Sequence, residues 1–427
     1  MKTQSKKDKG DNMLTNDFLG DEVARLGFGA MRLPVVDGDA SNIDQAQVDA
    51  MVDMALASGV NYFDTAYPYH GGCSEIALGK SLARHPRESF LLASKYPGHQ
   101  IAESYDPAAV FEEQLEKCGV DHFDFYLLHN VYEASIDVYT DEKWGIADYF
   151  VEQKKAGRIR HLGFSCHGRP DLLAGFLDYG ARKHAQLAER DPEAAASFAG
   201  GNIMEFCQIQ MNYLDWTLQD AAAKTALLED AGIPIVVMEP LRGGKLASLG
   251  HDQMAALQSA APDMGAVEWS FRWLQGIPSV KVVLSGMSNL QQVEENCRLF
   301  QGASPLSEAQ EGVLMDVAES LKGGVPCTAC RYCTDSCPQQ IDIPMLLATY
   351  NDMQFDTSFT ISMQMDAVPE GQRAQDCIAC GACTRMCPQG IDVPEALADL
   401  VATLEKMPKW ADLCRQRAEA AAKLREG

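Results

Sequence analysis

The cysteines carry the most specific chemical signal in this chain. C-x2-C-x2-C-x3-C-P occurs twice: Cys327, Cys330, Cys333 and Cys337 before Pro338, then Cys377, Cys380, Cys383 and Cys387 before Pro388. Each run continues alike, as CPQQIDIP and CPQGIDVP, which makes an internal repeat offset by 50 residues. Three close thiolates can wrap three irons of a cube while a distant fourth takes the last, so eight at this spacing fit two 4Fe-4S clusters. In two-cluster proteins the fourth cysteine of each run serves the other cluster. The expected sets are therefore Cys327, Cys330, Cys333 and Cys387 for one cluster, and Cys377, Cys380, Cys383 and Cys337 for the other. Zinc and disulfides are the alternatives. Tetrahedral zinc needs only paired C-x2-C units, which leaves the third cysteine and the C-x3-C-P of each run without a task.

A second reactive set lies upstream, at the ends of apolar runs. FDTAYPY offers Asp64 and Tyr69, ASKYP offers Lys95, and YLLHN offers Tyr126, His129 and Asn130. A buried lysine needs a carboxylate, which Asp64 can provide. An ammonium beside a phenol stabilises phenolate, so Tyr69 is expected to have a lowered pKa and to give its proton to a developing alkoxide. His129 can orient a carbonyl oxygen or relay the proton. Taken singly, a tyrosine at a strand end is usually packing and a lone histidine a satisfied core group. Four such residues at three successive strand ends argue for a site.

What must position them is a rhythm of short β-rich runs alternating with helical segments. The strand candidates are 24–31, 61–66, 90–96, 123–129, 159–165, 206–212, 234–240 and 280–286. Stretches such as QAQVDAMVDMALASG and GAVEWSFRWLQG read as helices between them. Eight strand–helix units predict an α/β fold, a (β/α)8 TIM barrel, with catalytic groups at the C-terminal strand ends. A doubly wound sheet would carry a G-x-G-x-x-G turn after its first strand, which LGFGAMRLP lacks. Residues 181–202 read as a lengthened fifth helix and loop. The expected domains are a flexible charged arm over 1–22, the barrel over 23–301 and a mainly helical, ferredoxin-like two-cluster module over 302–427. Within the last, Pro344 and Pro394 each open a helix after the I-D-I/V turn.

A net charge of −24 argues against nucleic acid and against an anionic membrane surface as partners. No run approaches the roughly 18 apolar residues of a membrane span. The opening MKTQSKKDKGDN is polar and Lys-rich, with no apolar core of a secretory signal. Six further cysteines (Cys73, Cys118, Cys166, Cys207, Cys297, Cys414) are scattered, which suits a reducing, cytoplasmic setting better than a disulfide framework.

FDTAYPYHGGCSE resembles the Asp-Thr-Ala-x-x-Tyr-x-x-Gly-x-Ser-Glu signature of the aldo-keto reductase family. The resemblance runs from about residue 23 to 300, and barrel plus cysteine repeat is similar to a subgroup of that family with a C-terminal 4Fe-4S domain. It implies Asp64, Tyr69, Lys95 and His129 as the catalytic tetrad, a small aldehyde or ketone as substrate, and NAD(P)H bound across the strand ends. The cofactor positions it implies are Gly29, Ala30, Met31, Asp64, Ser165, Cys166, Gln208, Met238, Leu241, Gly286, Met287, Ser288, Gln292, Glu295 and Asn296. Ser165 and Gln208 would hold the nicotinamide amide. Three departures stand out. Met238 occupies the place of an aromatic that usually stacks on the nicotinamide, and Cys166 replaces a common Asn. The loop with Gly286, Met287, Ser288 and Gln292 offers no cation for a 2′-phosphate, which favours NADH over NADPH. Glu239 would repel a pyrophosphate unless Arg242 or Lys245 pairs with it. Arg32, Arg242, His70 and His167 also fall on mouth loops. An alternative is a barrel that binds flavin phosphate without a motif and exchanges single electrons, through the clusters, with a ferredoxin-like carrier.

Overall fold

The computed structural model describes residues 12–302, 305–327, 329–334, 336–355 and 357–426. Of the arm expected over 1–22, residues 1–11 lie outside the described residues, and the remainder is a hairpin. Strands β1 (Thr15–Phe18) and β2 (Asp21–Ala24) pair antiparallel around a turn in which Leu19 and Gly20 both have positive φ, the geometry that matches strand twist. Phe18 and Val23 are fully buried with Tyr62, Ala93, Phe125, Leu127, Phe206, Val236 and Val282. The Phe18 ring stacks on Phe125 at 4.8 Å and meets Phe206 edge-on at 5.6 Å. The hairpin thus floors the barrel. Averaged polarity over TNDFLGDEVA conceals the two apolar side chains that dock it.

The barrel strands are β3 (Leu26–Gly29), β4 (Tyr62–Asp64), β5 (Leu91–Tyr96), β6 (Phe123–Val131), β7 (Ile159–Cys166), β8 (Phe206–Gln210), β9 (Ile235–Met238) and β10 (Val280–Ser285). They lie in chain order, all parallel, and β10 closes on β3. Each falls within or alongside its expected run, and the open-sheet alternative is excluded. After β7, helix Pro170–Arg190 runs 21 residues and is followed by the short Pro192–Ala196, which accounts for the lengthened segment.

The chain divides into two compact units, one ending at Leu314 but including the residues from Glu419 on, the other Met315–Ala418. The second unit is helical, with Ile343–Phe355, Phe359–Asp366 and Val393–Leu404 as its principal helices. Its core contains Ile341 and Ile391, and Ile343 and Val393, equivalent pairs from the two repeats. Pro394 lies in the first turn of its helix, where a missing N–H costs nothing. Among the described residues no helix is long and apolar enough to cross a membrane.

Candidate functional site

Strand alternation decides what faces the barrel axis. Tyr62, Ala93, Phe125, Leu127, Phe206, Val236 and Val282 fill the lower interior. Two residues on along the same faces come Asp64, Lys95, His129, Gln208, Met238 and, one step beyond Leu284, Gly286. Side chains from separate strands therefore converge above one packed floor. The cleft there measures about 410 Å³ and is lined by Gly29, Met31, Asp64, Tyr69, Gln208, Met238, Leu241, Gly286, Ser288, Gln292, Glu295 and Asn296 among others.

Lys95 is fully buried. Its Nζ donates to Asp64 Oδ1 at 2.5 Å, to the Thr65 carbonyl at 2.7 Å and to Tyr69 Oη at 3.3 Å. Burial pulls the ammonium down, but Asp64 and Tyr69 together more than offset it, so Lys95 stays cationic. Burial pushes the Asp64 carboxyl up against the pull of Lys95. The phenol of Tyr69 does not follow the expected downward shift. Burial pushes it above the ordinary value, with Asp64 and Glu239 adding to the rise, and Lys95 only partly reverses this. The group is thus a protonated phenol at neutral pH, which is the state a proton donor needs. The His129 ring lies edge-on to Tyr69 at 5.7 Å and to buried His99 at 4.4 Å. Tyr139 Oη donates to the His129 carbonyl at 2.6 Å and fixes the end of β6.

Behind Lys95 stands a buried support. Ser94 Oγ and Gln114 Nε2 both donate to Glu75 Oε1 at 2.6 Å, Gln114 Nε2 also reaches the Lys95 carbonyl at 3.1 Å, and burial pushes Glu75 up to about 7.

Four of the expected cofactor positions do not line the cleft: Ala30, Ser165, Cys166 and Met287. Ala30 opens the 3-10 turn Ala30–Arg32 that follows β3, and Cys166 falls on the outward step of β7. Cys166 shares the face of Phe164, whose ring packs on Phe176 of the following helix at 4.9 Å, and burial pushes its thiol up to about 11. Met287 is fully buried. Ser165 is buried with its Oγ accepting from Asn130 N at 2.7 Å. Gln208 Oε1, in contrast, is buried without a hydrogen-bond partner among the described residues. An orphan acceptor at the cleft floor suits a carboxamide N–H, so the residues present fit a nicotinamide.

The cation missing from the last loop is supplied by another. Arg32 lines the cleft, with its side chain against Gly243 and Gly286. It pairs with Glu239 at 3.3 Å, which sets a cation against that carboxylate. Arg242 is buried against Asp215 at 2.8 Å. Glu239 and Arg242 both have positive φ, which marks the strand-end turn as strained. His167 is held down to about 4, chiefly by burial. Sequence reasoning missed Gly243, Gly244 and Val267 as lining residues. The glycine pair in PLRGG was a legible turn signal, whereas Val267, on helix Ala266–Gln275, gave none.

In the second unit the thiols gather in two cavities. One is lined by Cys327, Cys330, Cys333 and Cys387 with Arg331, the other by Cys337, Cys377, Cys380 and Cys383 with Ile378. Each cavity thus borrows one cysteine from the other run. Ala329 and Ala379 both take positive φ, as do Arg331 and Gly381, and Gln340 and Gly390. Equivalent left-handed positions in both runs, two of them alanines, mean that the backbone is bent in the same strained way around each thiol set. Four thiols around one cavity match the donor set of an iron–sulfur cube.

Residues 25–311 match the aldo/keto reductase family, and residues 326–391 match a 4Fe-4S dicluster domain. An L-galactose dehydrogenase of Arabidopsis thaliana is 27% identical over 312 residues, covering 68% of this chain and 89% of that one. An NADH-specific methylglyoxal reductase of Escherichia coli is 24% identical over 244 residues, covering 52% and 65%. The holo form of aldo-keto reductase AKR11C1 from Bacillus halodurans superposes with a TM-score of 0.56 at 23% identity, over 72% of this chain and 96% of that one. With its closed barrel and its C-terminal cysteine repeat, the chain belongs to the aldo/keto reductase family of oxidoreductases and carries a 4Fe-4S dicluster domain.

Proposed function

We propose that the barrel is an NAD(P)H-linked reductase of a small aldehyde or ketone, with Tyr69 as proton donor. The observation that carries this reading is Lys95, fully buried, bonded to Asp64 at 2.5 Å and to Tyr69 Oη at 3.3 Å at the floor of the cleft. A bound dihydronicotinamide supplies the hydride. The chain supplies everything else. Gln208 Oε1 accepts from the carboxamide and so orients one ring face. His129, edge-on to Tyr69, holds the substrate carbonyl toward the phenol. As the carbonyl carbon gains hydride, its oxygen takes the proton from Tyr69 Oη, and Lys95 stabilises the phenolate left behind. Asp64 keeps Lys95 charged, and the proton returns to Tyr69 from solvent.

Arg32 puts a cation beside the loop that lacked one, which removes the reason to favour NADH. Nothing in the cleft calls for a flavin. In the second unit, Cys327, Cys330, Cys333 and Cys387 would hold one cluster, and Cys377, Cys380, Cys383 and Cys337 the other. Such clusters supply one-electron exchange, for which a ferredoxin-like carrier is the fitting partner. Hydride transfer in the barrel moves two electrons together and proceeds without them. Sparse, unframed cysteines suit a reducing compartment such as the cytoplasm.

The test uses anaerobically purified, cluster-loaded protein with NADH and NADPH over a panel of aldehydes and ketones. The expected result is nicotinamide oxidation that the Tyr69→Phe variant loses. Absence of turnover with both nucleotides across the panel overturns the reading.

A further inference from the structure

We propose that His70 is a positioning residue for Tyr69: its imidazole, in the neutral form with the proton on Nδ1, bolts the tyrosine turn to the segment that follows β3. The role in catalysis rests on the reductase reading above; the bolt itself does not.

Tyr69 is carried by a tight turn, Tyr69–Gly72, in which three consecutive residues are left-handed: His70 at φ 53°, Gly71 at φ 63° and Gly72 at φ 95°. Glycine adopts that region freely, whereas a histidine there needs something to hold it. The ring provides the hold. Leu33 N–H donates to His70 Nε2 at 3.1 Å, and His70 Nδ1 lies 2.8 Å from the Ala40 carbonyl. A carbonyl only accepts, so Nδ1 must carry the hydrogen. The Met31 carbonyl also faces the ring and favours a second ring N–H, but the Leu33 N–H aimed at Nε2 at 3.1 Å only donates and requires a lone pair there. One tautomer satisfies both bonds, and the other tautomer breaks both.

The segment so fastened belongs to the cleft wall. Met31 and Arg32 line the cleft, and the Arg32 carbonyl accepts from Ser288 Oγ at 2.8 Å. On the far side of the turn, Ser74 Oγ donates to the Ala30 carbonyl at 2.9 Å. The Ser74 bond anchors the start of helix Cys73–Leu82, and the His70 bonds anchor the turn itself. The phenol is thereby referenced to the wall that would hold the nucleotide. A small tilt of the turn would lengthen the path from Tyr69 Oη to a bound carbonyl, and misplacement of about 1 Å can cost as much as 100-fold in rate.

The experiment compares wild type, His70→Ala and His70→Gln in the full, cluster-loaded chain. Two readouts do not depend on turnover. A long-range ¹H–¹⁵N spectrum of ¹⁵N-histidine-labelled protein should show His70 protonated on Nδ1 only, and amide exchange at Leu33 should quicken in His70→Ala. In turnover, kcat of His70→Ala should fall roughly tenfold or more with KM changed less than about twofold. His70→Gln, whose Oε1 can still accept from Leu33, should recover part of that loss and keeps the test open if the alanine variant folds poorly. A proton found on Nε2, or unchanged Leu33 exchange in both variants, overturns the bolt. A raised KM at unchanged kcat overturns the positioning role and makes His70 a ligand contact. If wild type turns over no carbonyl at all, the reductase reading fails while the tautomer and exchange data still decide the bolt.

Discussion

Asp64 and Lys95 stand 31 residues apart in sequence and 2.5 Å apart in space, brought together by the register of neighbouring strands. Cys377, Cys380 and Cys383 lie within one short run and share a cavity with Cys337 from the other repeat. The barrel holds its polar groups by burial and by hydrogen bonds already made: Lys95 is fully buried and has three acceptors. The cysteine module exposes Cys330 and Cys380 and bends Ala329 and Ala379 into left-handed backbone. In one site the reactive side chains hold one another by protein hydrogen bonds, and Gln208 is left open for a ligand. The other matches the donor set of a group whose binding energy would add to that of folding.

The sharpest break between the two regions should come from Tyr69→Phe. Carbonyl reduction is expected to fall roughly 100- to 10,000-fold, the range for a lost general acid, while iron content and cluster absorbance stay at the wild-type level. A loss of clusters in that variant would show that the two sites are not independent.

Next in size is removal of iron. Chelation under reducing conditions should lower helix content and speed hydrogen exchange in 315–418 while leaving the barrel strands protected, because metal-binding energy is folding energy in such small modules. Cys387→Ala should halve the iron content rather than abolish it. Calorimetry showing the barrel transition lost together with the iron would refute the contrast.

A third test stays within the barrel. Glu75 titrates near 7 in the folded chain against an ordinary 4.5, so the native state keeps a proton that the unfolded chain releases across that interval. Stability should therefore fall as pH rises from about 4.5 to 7, by on the order of 3 kcal/mol, and stay low above that window. Denaturation of wild type and Glu75→Gln across this range should show the slope flattened in the variant. Equal slopes would remove Glu75 from the account.

The smallest effect concerns Arg32 and Glu239, an ion pair open to solvent and worth at most about 1 kcal/mol. Glu239→Gln should release Arg32 toward a nucleotide phosphate and tighten NADPH binding by roughly fivefold or less, read by fluorescence titration. Weaker binding would mean that Glu239 itself positions the cofactor.

Much of this was legible in the chain because its signals are local. The cysteine spacing, its 50-residue repeat, the FDTAYPYHGGCSE stretch and eight β-rich runs are short-range patterns, and each names its element. Parity along a strand was legible in principle too. It would have set Cys166 on the outward face of β7, two residues on from Phe164. The hairpin was lost because two docking side chains, Phe18 and Val23, are diluted in a polar stretch.

The sequence by itself determined which residues could react and which strand ends would present them, because side-chain chemistry and strand period are properties of neighbouring residues. Only the tertiary structure decided what each group experiences. It carried the Tyr69 phenol up rather than down, because burial around the whole cleft outweighs one ammonium at 3.3 Å. It also brought Arg32 to a loop that has no cation of its own. Burial and charge are sums over everything folded nearby, and no stretch of sequence contains that sum.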